Sequence, residues 1–213
     1  MTTLIIARHG NTFGPDDTVT YVGARTDLFL VEKGIEQAKA IGLYLKNNDL
    51  IPDVVYASTL RRAQETAKIA IKASGVTNPV YTLDIFNEID YGPDENKTKE
   101  EIIARVGADA LKQWEENSIP PPGWDVHPQK IIGAWEGFAN QITTHDDNET
   151  VLVVTSNGVA RFAPYLTGDF MAFRQQYDLK IATGAYGHLH RHPSQTTWSV
   201  VTWNQQPEHL LKT

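Results

Sequence analysis

The stretch TLIIARHGNT, residues 3–12, sets four consecutive apolar residues, Leu4 to Ala7, directly before Arg8, His9 and Gly10. A short apolar run rich in branched side chains and bounded by polar residues reads as a strand buried on both faces, the kind found in parallel sheets covered by helices. In open sheets of that kind, ligands bind beyond the carboxyl ends of the strands. Arg8 and His9 stand at such an end, and Gly10 lets the backbone turn tightly and present them. An imidazole beside a guanidinium suits the transfer of a phosphoryl group: a ring nitrogen accepts the group while the cation neutralises its oxygens. A polar strand end facing water is the plainer alternative for the same three residues.

Working outward, Val54 to Tyr56 and Val151 to Val154 repeat the buried-strand pattern. Between the strands, Ile35, Ala38, Ile41 and Leu45, then Leu60, Ala63, Ala67 and Ala70, recur at spacings of three and four, as helices require. This alternation predicts an α/β protein, a three-layer αβα sandwich with a mainly parallel central sheet. The rhythm breaks after Glu88. IDYGPDENKTKEE is polar and turn-rich, and it leads into a helix with Ile103, Val106, Ala110 and Trp114 on one face. The prolines of SIPPPGWDVHP exclude a helix there, and Ile131, Trp135, Phe138 and Ile142 mark the next one. Residues from about 86 to 128 therefore read as a helical lid inserted into a single domain spanning 1–213. Two strands around HPSQ, Lys180 to His190 and Thr197 to Asn204, predict a terminal hairpin.

Composition narrows the partners. A net charge of −7 argues against a general binder of nucleic acid or of anionic membranes. No apolar run approaches the roughly 20 residues that span a bilayer, and a strand beginning at Thr3 leaves no room for a leader, so a cytoplasmic location is expected. The absence of cysteine excludes disulfides, thiolate metal sites and a cysteine nucleophile. His188, His190 and His192 alternate and would share one strand face, but no nearby carboxylate completes a ligand set and Pro193 follows, so no metal is expected. His127 and His145 read as loop or surface residues. Trp135 and Trp203 read as core, and Trp124 as core or as a platform for substrate.

The second strand adds cations to the first. DVVYASTLRRAQETA leaves a buried run at Tyr56 and enters a helix through Ser58 or Thr59, with Arg61 and Arg62 in its first turn. Two cations there oppose the helix dipole at up to about 1 kcal/mol each when exposed, a penalty that a bound anion removes. Solvation, or pairing with Glu65, is the alternative.

The blocks RHGNT, GARTDLFLVEKGIEQA, YASTLRRAQETA, FNEIDYG, VLVVTSNGVAR and WSVVTWN…HL, in this order, resemble the histidine phosphatase superfamily, also called phosphoglycerate mutase-like, and span nearly the whole chain. The resemblance implies that His9 is the phosphorylated nucleophile and Arg8 its neighbouring phosphate ligand. It selects Arg62, which precedes the alanine, as a second phosphate ligand, and Glu88 as the general acid and base, for which a lid salt bridge is the alternative. Thr12 would line the phosphate loop. Arg25 would reach the substrate or pair with Asp27. The family's second histidine is replaced in VTSNG by Ser156, a neutral donor, with Asn157 beside it as another. Pro15 stands where the family tends to carry asparagine. Losing one preorganised donor slows catalysis by about 10²- to 10³-fold in comparable sites.

Three functions fit these residues. The first is a phosphomonoester hydrolase working through phospho-His9 on a small phosphorylated substrate, which requires no metal or cofactor. The second is a phosphoglycerate-mutase-like transferase, disfavoured by PDE after DYG where the family carries WEG. The third is a weakly active or non-catalytic protein that binds a phosphorylated ligand. The sequence leaves the oligomeric state open.

Overall fold

The structure, a computed structural model, describes residues 1–143 and 149–212; His145 lies outside them. Four parallel strands come first in the sheet: β1 (Thr2–Arg8), β2 (Val54–Ala57), β3 (Val80–Thr82) and β4 (Thr150–Thr155). β5 (Tyr186–Arg191) and β6 (Ser199–Gln205) add an antiparallel edge, giving the order β3-β2-β4-β1-β5-β6. The central pair, β1 and β4, is covered on both faces. Because successive strand residues point to opposite sides, Leu4 and Ile6 join Val151 and Val153 in one core, while Ile5 and Ala7 join Leu152 and Val154 in the other.

Helices α1 (Glu32–Asn47) and α2 (Arg61–Ser74) close the second core through Ile41, Leu45, Ala63, Ala67 and Ala70. They approach closely at Gly42, where a Cβ would stand 2.1 Å from the Ala70 carbonyl oxygen. The opposite face carries the excursion after β3 and α5 (Pro128–Ile142), whose Trp135, Phe138 and Ile142 are buried with Trp203. The expected three-layer αβα arrangement is therefore present.

Three expectations need correction. The helix expected through Ile103 and Trp114 is two helices, α3 (Lys99–Val106) and α4 (Ala108–Asn117), because Gly107 at φ 84° breaks the ladder. Ile102 and Leu111 are buried with Trp114 in place of Ile103, Val106 and Ala110. Neither Ser58 nor Thr59 caps α2; the amide of Arg61 donates to Asp27 Oδ1 at 2.7 Å. The terminal hairpin begins at Tyr186, not Lys180. The amides of Ile181 and Ala182 donate to side chains, Asn157 Oδ1 (2.9 Å) and Asn204 Oδ1 (2.7 Å), and Gly184 at φ 70° turns the chain into β5. After β4, one helical turn, α6 (Asn157–Ala160), and α7 (Phe170–Gln176) lead to that loop. No helix among the described residues is long and apolar enough to cross a membrane.

Candidate active site

A cavity of about 1020 Å³ opens beyond the carboxyl ends of β1 and β4, lined among others by Arg8, His9, Thr12, Glu88, Asn157 and Arg161. His9 is held on every side. Its amide donates to the Thr155 carbonyl (3.0 Å) and its carbonyl accepts from Gly184 (3.1 Å). Its ring Nδ1 lies 2.7 Å from the Gly10 carbonyl oxygen. A carbonyl only accepts, so Nδ1 carries the proton and Nε2 keeps its lone pair. The Gly10 amide donates to Thr66 Oγ1 (3.0 Å), which itself donates to the Arg62 carbonyl (2.7 Å), joining the histidine turn to α2. Gly10 is required for contact rather than for a turn: its φ is not positive, and a Cβ would stand 2.3 Å from the Gly34 carbonyl oxygen.

The charges around this imidazole set its state. Burial, then the Arg62 and Arg8 guanidinium groups, push the His9 pKa well below the ordinary 6.5, so the ring is neutral. Glu88 is pushed the other way. Its burial raises the carboxyl pKa above 4.5, opposed by Arg62, by the Ile89 and Gly158 amides and by Arg8. Those amides donate to Oε1 (3.0 Å) and Oε2 (3.3 Å) respectively. The site thus holds a neutral base beside an acid that retains its proton more readily than an ordinary carboxyl.

Arg8 donates to the Ile181 carbonyl (2.9 Å) through Nη1, and its buried Nε has no partner among the described residues. Thr12 lines the same cavity, as does Asn157, whose Oδ1 is engaged by Ile181. Three expected site residues are placed differently. Arg62 is fully buried and does not line the cavity; it donates to the carbonyls of Thr26 (2.7 Å) and Gly23 (3.2 Å), its Nε has no partner among the described residues, and its charge acts on His9 and Glu88. Ser156 is likewise fully buried, its Oγ without a partner among the described residues, and it does not line the cavity. Arg25 lies outside the cavity and pairs with Asp90 at 3.1 Å, not with Asp27, which holds Arg61 instead. Glu88 makes no salt bridge among the described residues.

The sequence reading missed Arg161, which is 2% exposed and lines the cavity. It stands four residues after Asn157, a spacing that puts two side chains on one side of a helix. It also missed the aromatic wall of Tyr21, Tyr91 and Trp114. Trp124 packs behind that wall on Tyr91 and Trp114, with ring centroids 4.7 and 5.4 Å apart, rather than serving as a platform. His188, His190 and His192 form no metal cluster among the described residues: a bulge interrupts β5 at His188, and His192 bonds Ser194.

The family model of the histidine phosphatase superfamily (branch 1) matches residues 4–206. A 2,3-bisphosphoglycerate-dependent phosphoglycerate mutase of Parvibaculum lavamentivorans is 28% identical over 184 residues, 85% of this chain and 87% of the relative. One of Bifidobacterium longum is 35% identical over 128 residues, 59% of this chain, which spans about half of that relative (51%). Among solved structures, a mutant phosphoserine phosphatase from Entamoeba histolytica in complex with phosphoserine superposes with a TM-score of 0.75 at 20% identity, covering 98% of this chain and 99% of that one. A mycobacterial glucosyl-3-phosphoglycerate phosphatase gives 0.77 at 21%, covering 96% and 99%. At these identities the structural likeness speaks for the fold.

Proposed function

Because this chain belongs to the histidine phosphatase superfamily, we propose that it hydrolyses small phosphomonoesters through a phosphohistidine formed on His9. The observation that carries this reading is the 2.7 Å bond from His9 Nδ1 to the Gly10 carbonyl, made inside a cavity that Arg8 and Glu88 also line. It aims protonation at one nitrogen and leaves the other as nucleophile. Nε2 attacks phosphorus in line with the departing oxygen, the P–O bond to the alcohol breaks, and Glu88 gives its proton to that oxygen. Glu88, now a carboxylate, takes a proton from water as its oxygen attacks the phosphohistidine, releasing phosphate and restoring both residues.

Charge on the equatorial oxygens is met by Arg8 at contact and by Arg62 through its field, with Thr12 and Asn157 as neutral donors. Ser156 stands in place of a second histidine and leaves the phosphoryl group one cation short. The names of the curated relatives favour a mutase as the second reading. A panel of phosphomonoesters, including phosphoglycerates, tests both. Phosphate release abolished by His9→Ala supports the hydrolase, equal turnover by wild type and variant overturns it, and phosphoryl exchange between phosphoglycerates without phosphate release establishes the mutase.

A further inference from the structure

The hydrogen bond that sets the state of His9 does not end at Gly10. The carbonyl that accepts from His9 Nδ1 (2.7 Å) belongs to the Gly10–Asn11 peptide, and the amide of that same peptide, on Asn11, donates to Gln37 Oε1 at 2.8 Å. A trans peptide points its C=O and N–H in opposite directions, so the two bonds hold one plane from both sides. Gln37, on α1, is 2% exposed and does not line the cavity. Its Nε2 donates to Glu208 Oε1 at 2.7 Å, in the final 3₁₀ turn, Pro207–Lys212. The direction of this side-chain amide is fixed: a carboxylate only accepts and a backbone N–H only donates, so its oxygen faces Asn11 and its nitrogen Glu208. Gly184, at φ 70°, closes over the side chain, for a Cβ there would stand 2.5 Å from Gln37 Cβ, and its own amide donates to the His9 carbonyl (3.1 Å).

We propose that Gln37 and Glu208 are positioning residues for His9, forming a relay from a carboxylate outside the cavity to the nucleophilic ring. The inference deepens the hydrolytic reading and rests on it for the step affected. All three bonds run the same way: His9 Nδ1–H to the Gly10 carbonyl, Asn11 N–H to the Gln37 carbonyl, and Gln37 N–H to the Glu208 carboxylate. Hydrogen bonds aligned head to tail polarise one another, so the anion at the far end makes the Gly10 carbonyl a better acceptor. A stronger acceptor at Nδ1 holds the ring in the tautomer and orientation that leave Nε2 free to attack. Two amides keep the carboxylate itself out of the cavity, where it would repel a phosphoryl anion. Thr66, which accepts from the Gly10 amide, holds the preceding peptide and leads back to the Arg62 carbonyl, not to an anion.

The probe is p-nitrophenyl phosphate, whose nitrophenolate reports phosphorylation of His9 within a single turnover and needs little help from a general acid. The proposal expects Glu208→Ala to lower that rate at saturating ester by about two- to tenfold with KM little changed. Glu208→Gln, which keeps an acceptor oxygen, should recover part of the loss, and Gln37→Leu, which removes both bonds, should lose more. In the free protein carrying isotope-labelled histidine, the Nδ1–H proton of His9 should move upfield in Glu208→Ala as its bond weakens, a change that a merely structural role of the final turn would not produce. Unchanged phosphorylation rates in Glu208→Ala and Gln37→Leu, a loss confined to KM, or an unmoved His9 resonance overturns the proposal. If Gln37→Leu does not fold, the two Glu208 variants decide. A wild type that turns over no phosphomonoester, but whose His9 resonance moves in Glu208→Ala, would keep the relay and remove the hydrolase.

Discussion

His9 and Glu88 hold opposite titration shifts for one reason, burial, and the sign of each fixes a limb of the pH profile. Protonated His9 has no lone pair to attack, so activity falls on the acid side, at a pH below the ordinary histidine value of 6.5. Ionised Glu88 cannot protonate the leaving oxygen, so activity falls on the alkaline side, at a pH above the ordinary carboxyl value of 4.5. Glu88→Gln should lower kcat by about 10²- to 10⁴-fold and flatten the alkaline limb, checked by pH-rate profiles. Stability follows the same shifts: a His9 kept neutral in the fold stabilises above pH 6.5, and that contribution is lost as pH falls through the lowered value. Gly158 sits against this acid, for a Cβ there would stand 2.3 Å from Glu88 Oε1. Gly158→Ala should reduce kcat more than it raises KM, since it displaces the proton donor. On the proposed reading Ser156→His adds a cation that the phosphoryl group lacks and should raise turnover; an unchanged or lower rate would contradict that role for position 156. The positions of Arg8 and His9 were legible because a buried strand must end somewhere polar. Arg161 was not, because sequence does not tell which way an arginine turns after a four-residue helix.

At the scale of elements, one buried carboxylate ties together parts of the excursion from β3 to α5. Asp94, buried, accepts from Arg105 Nε (2.7 Å) and from Trp124 Nε1 (2.6 Å), and its ion pair with Arg105 joins α3 to the loop that carries Trp124. Burial opposes its ionisation, yet those donors hold its pKa below the ordinary value. Asp94→Asn removes the charge from both bonds and should cost about 1–3 kcal/mol by denaturant unfolding. It should also increase proteolysis within 86–128; unchanged cleavage there would show that the excursion is held elsewhere. The alternation of strands and helices was readable from hydrophobic period alone, as Leu4 to Ala7 and Ala63 to Ala70 show. The break at Gly107 and the late start of β5 were not. Apolar residues such as Ile181 and Ala182 satisfy a strand pattern, but side-chain amides of Asn157 and Asn204 take their backbone donors, and that pairing is visible only in three dimensions.

Across the whole molecule, the parallel strands deliver their carboxyl ends to one rim, where β1 brings Arg8 and His9 and β4 leads into Asn157 and Arg161. The excursion brings Glu88 to the same rim, so a bound tetrahedral anion would link segments far apart in sequence. Inorganic phosphate at a hundred times its Kd should therefore stabilise the fold by about 2.7 kcal/mol, raising Tm by roughly 5–10 °C, and His9→Ala should show a smaller shift. The net charge of −7 does not prevent this, because the cations that matter are local and enclosed. The account turns on a covalent bond between phosphorus and His9 Nε2. Its most direct test is a rapid quench into base during turnover of a phosphomonoester, followed by peptide mass mapping. The account predicts one phosphoryl group on the peptide containing His9, stable in alkali, lost in acid and absent from His9→Ala; active turnover with no such adduct, or with the label on another residue, would contradict it.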